Sequence, residues 1–290
     1  MFRLYDTQRR EVAEITPVRA RLLRVHLAVL GAARPVHIGD LRMYVLADLI
    51  RRNAERHASS VIVCQDAADA SSLPAADRVA LSVAPPDLDC AGPAAPGADD
   101  AVDIDVSAMI DAGANGADLP AAHRADAAGA SSAAIHADLR HWVRAGPVLF
   151  DGQEAPAPGA GAPEATVMLL PDVAARFDPL ALRLAFLGER YREQLSLSWD
   201  LLAAADADLR RWRELVATWA NEPSKPICAR YWTSFAEALD DDLDTPSALT
   251  ALQDLAADRE IPAGSKFETF SAADRVLGLE LVSLIGKLPA

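Results

Sequence analysis

The chain has 290 residues and a formal net charge of −14, with 42 acidic against 28 basic side chains. Nucleic acids attract Lys and Arg side chains that neutralise phosphates, so this acidic balance disfavours a polyanionic partner. No apolar run approaches the roughly 20 residues of a membrane helix, and the three cysteines have no paired spacing. We therefore expect a cytoplasmic protein with reduced thiols and no membrane partner.

The first 73 residues have the pattern of two strands, a loop, a helix and a further strand. An apolar, β-branched run at residues 22–29 predicts a strand, and apolar residues recurring at helical spacing predict a helix that begins at Leu41. The turn between them contains His37, Gly39 and Asp40. Backbone N–H groups at such a helix start often hold a phosphate, so these three residues are candidate nucleotide-binding residues. The alternative is that His37 and Gly39 only cap and pack the turn.

The middle of the chain changes composition twice. Residues 74–105 are rich in Pro, Ala, Gly and Asp, which is typical of a linker. We expect the fold to resume at residue 106, with a helix over about 130–145 and a short strand at 147–150. A second low-complexity loop is expected at residues 154–163.

The last third has helical periodicity. We expect helices over residues 180–187, 199–219 and 248–257, and a last helix capped by Ser271 that runs through residue 285. The Trp and Leu stripes of these helices are expected to form core. Three arginine clusters, at residues 19–24, 51–52 and 210–213, are interpreted as solvated helix faces.

Several stretches, taken in chain order, resemble one family: residues 2–7 (FRLYDT), 37–39 (HIG), 106–109 (VSAM), 116–119 (GADL), 178–184 (DPLALRL) and 240–246 (DDDLDTP). The chain resembles the cysteinyl-tRNA synthetases and their actinobacterial relatives, the mycothiol-pathway cysteine ligases. The resemblance implies an α/β fold: a class I synthetase-type Rossmann-like (HUP) nucleotide-binding domain at residues 1–175, followed by an α-helical bundle at 176–290. It also implies a connective insertion shortened to about residues 74–105. The chain stops where the synthetases continue into an anticodon-binding domain, so tRNA is not expected as a partner.

Enzymes of this family hold the substrate thiolate on a zinc ion bound by two Cys, one His and one Glu. Their motifs carry these ligands onto Ala28, Val106, His123 and Ala127, so one ligand of four is retained. The resemblance therefore implies that the zinc site is lost, and we expect no stoichiometric metal.

The family also has a mobile lysine loop after an Asp-Gly pair, whose lysines neutralise the transferring phosphates. After Asp151 and Gly152 this chain reads QEAPAPGAG, with Glu154 at one lysine position. The only lysines are Lys225, Lys266 and Lys287. Both catalytic lysines of the family are therefore missing.

These substitutions are consistent with two hypotheses for the function of the protein. In the first, a degenerate relative no longer activates cysteine with ATP and binds a nucleotide-like small molecule, such as ATP or AMP, or a protein partner. In the second, an active ATP-dependent ligase of the class I aminoacyl-tRNA synthetase type works without zinc on cysteine or another amino acid. Arginines would then replace the lysines, and the substrate-cleft candidates are Arg34, His123 and Arg124. We favour the first reading.

Overall fold

The computed structural model describes residues 2–15, 22–28, 36–65, 73–89, 102–108, 140–154 and 168–287. The strands within these ranges are β1 Phe2–Asp6, β2 Glu11–Ile15, β3 Leu22–Ala28, β4 Ser60–Gln65, β5 Leu88–Asp89, β6 Val102–Ala108, β7 Arg140–Ala145, β8 Val148–Phe150, β9 Gln153–Glu154 and β10 Leu195–Leu197. The helices are α1 Ile38–Arg56, α2 Ala75–Ala80, α3 Leu170–Ala174, α4 Pro179–Leu187, α5 Trp199–Trp219, α6 Ala229–Asp240, α7 Thr245–Ala257 and α8 Ala263–Leu277. None of these helices combines the length and the apolar character needed to cross a membrane.

A five-stranded parallel sheet forms the centre of the first half, with the strand order β5-β4-β3-β6-β7. The order reverses direction between β3 and β6, which makes this pair the topological switch point of a doubly wound sheet. Ligands in such folds bind beyond the carboxyl ends of the strands at the switch point. Helix α1 follows β3 in the chain, so its amino terminus is the first candidate for a site.

Helix α1 is the central helix of the molecule. Every residue from 41 to 50 is buried, because one side of the helix packs on the sheet and the other packs against the carboxyl-terminal helices. In β3 the buried residues alternate, with Leu23, Val25 and Leu27 in the core. The helix and the strand that bracket the candidate turn are therefore fixed by apolar burial on both sides.

The second half consists of helices packed around aromatic residues. Trp212 and Phe270 meet edge to face with 5.7 Å between ring centroids, and both are fully buried. The short strand β10 returns to pair in parallel with β8. A segment of the predicted helical bundle therefore shares a sheet with the predicted nucleotide-binding domain, and the domain division at residue 175 stays a prediction.

A buried ion pair joins α1 to α4. The Arg183 guanidinium donates to Asp48 Oδ2 at 2.6 Å and to the Leu277 carbonyl at 2.6 Å. Arg52 donates to the same Asp48 oxygen at 2.7 Å. Burial lowers the pKa of Arg183, and the Asp48 carboxylate opposes that shift. Just after α8, Gly278 has a φ of 64°, and a Cβ there would lie 2.9 Å from Arg183 Nη2.

Each carboxylate in the acidic run at residues 240–244 has a hydrogen-bond or ion-pair partner within the protein. Asp242 accepts hydrogen bonds from the Tyr5 N–H at 2.7 Å and the Tyr191 hydroxyl at 2.6 Å. Its neighbours pair elsewhere: Asp240 with Arg56 and His57, Asp241 with Arg3, and Asp244 with Arg190 and the Ser247 N–H. This family-like motif therefore fastens the amino-terminal hairpin β1–β2 and helix α1 to the helical part.

Several predicted elements are confirmed. Helix α5 has the predicted bounds, 199–219. Its stripe is core at Leu202, Leu209, Trp212 and Val216, but Leu201 is exposed and Leu215 is only partly buried. Helix α4 and strand β8 also lie where the pattern placed them.

Other predictions are wrong. The linker expected at residues 74–105 contains α2 and β5, and its end belongs to β6. Residues 140–145 form strand β7 rather than the end of a helix, while residues 130–139 lie outside the described ranges. Ser271 lies inside α8, which ends at Leu277 because Gly278 takes the left-handed conformation. Helix α7 begins at Thr245, three residues earlier than predicted.

The interpretation of the arginine clusters as solvated faces also fails at three positions. Arg52 donates to the Asp48 carboxylate and to the carbonyls of Ser82 and Arg275. Arg213 is buried and donates to the carbonyls of Leu279 and Glu280 and to the Asp178 carboxylate. Arg24 lies in strand β3 and is half-buried. Helical spacing in the sequence does not reveal such partners, because they come from distant segments.

Candidate functional site

The candidate turn lies at the start of α1, beside the switch point of the parallel sheet. The helix begins at Ile38, three residues earlier than predicted, and His37 is its N-cap with φ −98° and ψ 171°. Asp40 is therefore the third helical residue. The prediction that the helix begins at Leu41 is wrong, because the apolar periodicity starts only after the first helical turn, which residues 38–40 form.

His37 and Asp40 form a reciprocal capping box. The His37 Nδ1 accepts the Gly39 N–H at 3.0 Å, while the His37 N–H donates to Asp40 Oδ2 at 3.1 Å. Because Nδ1 accepts a hydrogen bond, the proton of the neutral imidazole is on Nε2, which lies 3.6 Å from Asp40 Oδ1. The two candidate side chains therefore orient each other.

The remaining N–H groups of the first turn also have acceptors within the chain. Ile38 donates to the Met168 carbonyl at 3.1 Å, and Asp40 and Leu41 donate to the His37 carbonyl at 2.9 and 3.2 Å. A helix start binds an anion through first-turn N–H groups that lack intrahelical partners. Here each of these donors is used by the protein itself, and the first turn carries a carboxylate.

Gly39 has a local reason to be glycine. A Cβ at this position would lie 2.9 Å from His37 Cε1 and 3.1 Å from His37 Nδ1. A side chain would therefore displace the ring that caps the helix. The structure thus shows a capping role for His37 and Gly39, and nucleotide binding by these residues stays a prediction.

Arg42, one turn further into α1, anchors the helix to two neighbouring segments. Its guanidinium donates to the carbonyls of Gly146 at 3.1 Å, Arg190 at 2.8 Å and Glu193 at 2.5 Å. Burial lowers the pKa of Arg42 to about 10. No pattern in the sequence indicates this role, because all three acceptors are backbone groups that lie 104 to 151 positions further along the chain.

The positions that correspond to zinc ligands do not suit a metal where they are described. Ala28 ends β3, and its register partner in β6 is Ser107, while Val106 pairs with Leu27. Val106 is fully buried. Neither Ala nor Val has a donor atom, so the described part of the ligand set does not fit zinc. His123 and Ala127 lie outside the described residues, as do the cleft candidates Arg34 and Arg124.

The turn that corresponds to the start of the lysine loop is exposed. Asp151 and Gly152 join β8 to β9 with positive φ values of 47° and 80°. Elsewhere, Lys266 is buried, its pKa is lowered by that burial, and its ammonium donates to the Ala256 carbonyl at 2.9 Å. That lysine has a structural partner in the helical part.

No known protein-family model matches the chain. The chain is 34% identical over 182 residues to the "L-cysteine:1D-myo-inositol 2-amino-2-deoxy-alpha-D-glucopyranoside ligase" of Saccharopolyspora erythraea, and 29% identical over 185 residues to the protein of the same description from Nakamurella multipartita. These matches cover 59% and 61% of this chain and 41% of each relative. A "Cysteine--tRNA ligase" of Treponema pallidum is 33% identical over 141 residues, which are 39% of this chain and 27% of that protein. The chain thus spans about two fifths of the length of the first two ligases, and less of the third.

The fold is similar to that of an arginyl-tRNA synthetase from Thermus thermophilus. The TM-score is 0.52 at 13% sequence identity, and the match covers 92% of this chain and 82% of that chain. This likeness confirms the predicted class I synthetase-type α/β fold.

Proposed function

We propose that this chain, which is related in sequence to the cysteine ligases and in fold to the class I aminoacyl-tRNA synthetases, binds an adenosine- or AMP-like ligand and does not activate cysteine with ATP. The observation that carries the loss of ATP activation is the closed first turn of α1, while the relation to these ligases and synthetases motivates the nucleotide-like ligand. The N–H groups that could hold a phosphate there already have acceptors within the chain.

Charge supports the same conclusion. The Asp40 carboxylate lies in the first turn, and two like charges about 4 Å apart repel by roughly 1 kcal/mol in water and about 4 kcal/mol at an effective dielectric constant of 20. An added β- and γ-phosphate therefore costs binding energy unless cations compensate it. The segment after Gly152 contains no lysine that could do so. The described zinc positions, Ala28 and Val106, likewise offer no atom to hold a thiolate-binding metal.

The test combines an activity assay with a binding comparison. ATP–pyrophosphate exchange is measured with each of the standard amino acids, cysteine included, and we expect none above the protein-free rate. Titration calorimetry then compares AMP with ATP in Mg²⁺, and we expect AMP to bind at least as tightly. Changing Asp40→Asn should improve ATP relative to AMP, because the amide keeps an acceptor for the His37 N–H but removes the charge.

Asp172→Asn is the matched control. Asp172 has the third position in helix α3 and accepts the Leu169 N–H at 2.9 Å, as Asp40 accepts that of His37. This change should leave the ratio of ATP to AMP affinity unaltered. Cysteine-dependent exchange, or ATP binding more than tenfold tighter than AMP, would contradict the proposal. Either result would favour the active, zinc-independent ligase, with Arg34 and Arg124 as the next phosphate contacts to test.

A further inference from the structure

A cavity lies in the helical part of the molecule, and none of its lining residues belongs to α1. It has a volume of about 390 Å³ and is bordered by the end of α4, strand β10, and helices α5 and α7. Ligand pockets in proteins typically measure about 300–1,000 Å³. Since one water occupies about 30 Å³ of liquid, the cavity has room for a molecule of roughly ten non-hydrogen atoms.

The residues that line the cavity include an apolar wall and two carboxylates. Leu184, Leu195 and Leu249 provide an apolar wall, and the indole of Trp212 contributes to it. The charged residues among the lining are Glu189 and Asp208, and none of the described lining residues is basic. The carboxyl end of α4 also reaches the cavity at Gly188, and a helix carboxyl terminus carries partial negative charge.

Three arginines near the cavity have acidic partners, while the buried Arg42 interacts electrostatically with Glu189 and donates to backbone carbonyls. Arg190 pairs with Asp244, and Arg210 pairs with Asp206. Arg211 lies 3.3 Å from Asp208, in a pair whose side chains are 60% and 49% exposed. A solvent-exposed pair of this kind is weak, so it does not prevent Asp208 from meeting a second cation. The charged side chains that line the cavity itself are therefore both acidic, and the Arg42 charge offsets part of that of Glu189.

We propose that this cavity binds a small organic cation: a protonated amine carried on an apolar body. The ammonium group would donate to Glu189 and Asp208, while the leucines and Trp212 would cover the hydrocarbon. An anion of the same shape is excluded by repulsion from the two carboxylates, and a neutral isostere lacks the ion pairs. The site is independent of the nucleotide-binding proposal, because it shares no residue with the start of α1.

Three probes with the same phenylethyl body and different head groups test this proposal: 2-phenylethylamine, 2-phenylethanol and 3-phenylpropanoate. Binding is followed by ¹⁵N NMR of the tryptophan indole groups, with the Trp212 signal assigned through Trp212→Phe. We expect the amine to shift the Trp212 signal saturably, the alcohol to bind at least tenfold more weakly, and the acid to cause no shift. Equal affinities for amine and alcohol, or tighter binding of the acid, would overturn the proposal.

Variants locate the binding. The double change Glu189→Gln with Asp208→Asn should weaken the amine at least tenfold and bring it close to the alcohol. Asp200→Asn with Glu214→Gln is the matched control, because both residues are exposed on α5 and do not line the cavity.

A variant that fills the cavity is the second test of where the amine binds. Ala204→Leu, at an exposed lining position that tolerates a larger side chain, should abolish binding of the amine and the alcohol alike. Circular dichroism confirms folding before each titration. Amine binding that survives Ala204→Leu, or that is unchanged in the double variant, would show that the amine binds elsewhere and would disprove the assignment.

Discussion

The two ends of helix α1 are held in different ways. At its start, His37, Gly39 and Asp40 bond to one another within three residues. Towards its end, Asp48 and Arg56 reach partners 135 and 184 residues away in the chain, Arg183 and Asp240. The start also has tertiary contacts, from the Ile38 N–H to the Met168 carbonyl and from Arg42 to three distant carbonyls, but among the described residues only the carboxyl-terminal half forms ion pairs with side chains that are distant in the chain.

The largest expected loss of stability comes from a change in the carboxyl-terminal half of α1. Asp48→Asn should lower the free energy of unfolding by about 3–5 kcal/mol, because it leaves the buried Arg183 charge without its partner. Urea denaturation measures the change. Glu55→Gln on the same helix is the control, since its exposed pair with Arg51 should contribute at most about 0.5 kcal/mol. A loss of unfolding free energy below about 1 kcal/mol for Asp48→Asn would show that the Asp48–Arg183 ion pair does not stabilise this half of α1.

Gly278→Ala should have the next largest effect. The change forces a Cβ onto a left-handed residue and within 2.9–3.1 Å of the Arg183 and Arg52 guanidinium groups, which bind Asp48. We expect a loss of about 2–3 kcal/mol in thermal or urea unfolding. Gly286→Ala separates the two causes, because Gly286 also has a positive φ, but a Cβ added there would meet nothing within 4 Å. Equal losses in the two variants would mean that contact with the guanidinium groups is unimportant.

The smallest loss of stability is expected from changes at the N-cap of α1. His37→Ala removes the N-cap and should cost about 1 kcal/mol of unfolding free energy. His37→Asn should recover most of that loss, since Asn is a favoured N-cap that can also accept the Gly39 N–H. Urea denaturation of both variants measures the difference. If Asn destabilises as much as Ala, the imidazole has a packing role beyond capping, and the cap hydrogen bond does not account for the loss.

The long, strongly periodic elements could be predicted from the sequence, and the boundaries that depend on unusual chemistry could not. Helix α5 has an apolar stripe over its whole length, so its bounds were correct. The start of α1 was misplaced because His is not among the preferred N-cap residues, whereas Asp40 is of a preferred type. Nothing local indicated that the Met168 carbonyl would accept the Ile38 N–H.

Two further errors had a signal in the sequence. In β7 the buried residues His141, Val143 and Ala145 alternate as in a strand, but the Ala-rich segment before them favoured a helix. Helix α6 was not predicted, because it buries only Tyr231, Phe235 and Leu239, a narrow stripe at a spacing of four. The family resemblance predicted the fold correctly, because it depends on many positions rather than on one boundary.

The hydrogen bond from the Tyr5 N–H to Asp242 has a consequence for how the protein is made. Ribosomes add about 5–20 residues per second, so the 237 positions between donor and acceptor correspond to roughly 12–50 s of synthesis. During that interval the first strand exists without the acidic segment that fastens it. The hairpin β1–β2, which is translated before the helical part, can complete its contacts only after helices α3 to α6 have been synthesised.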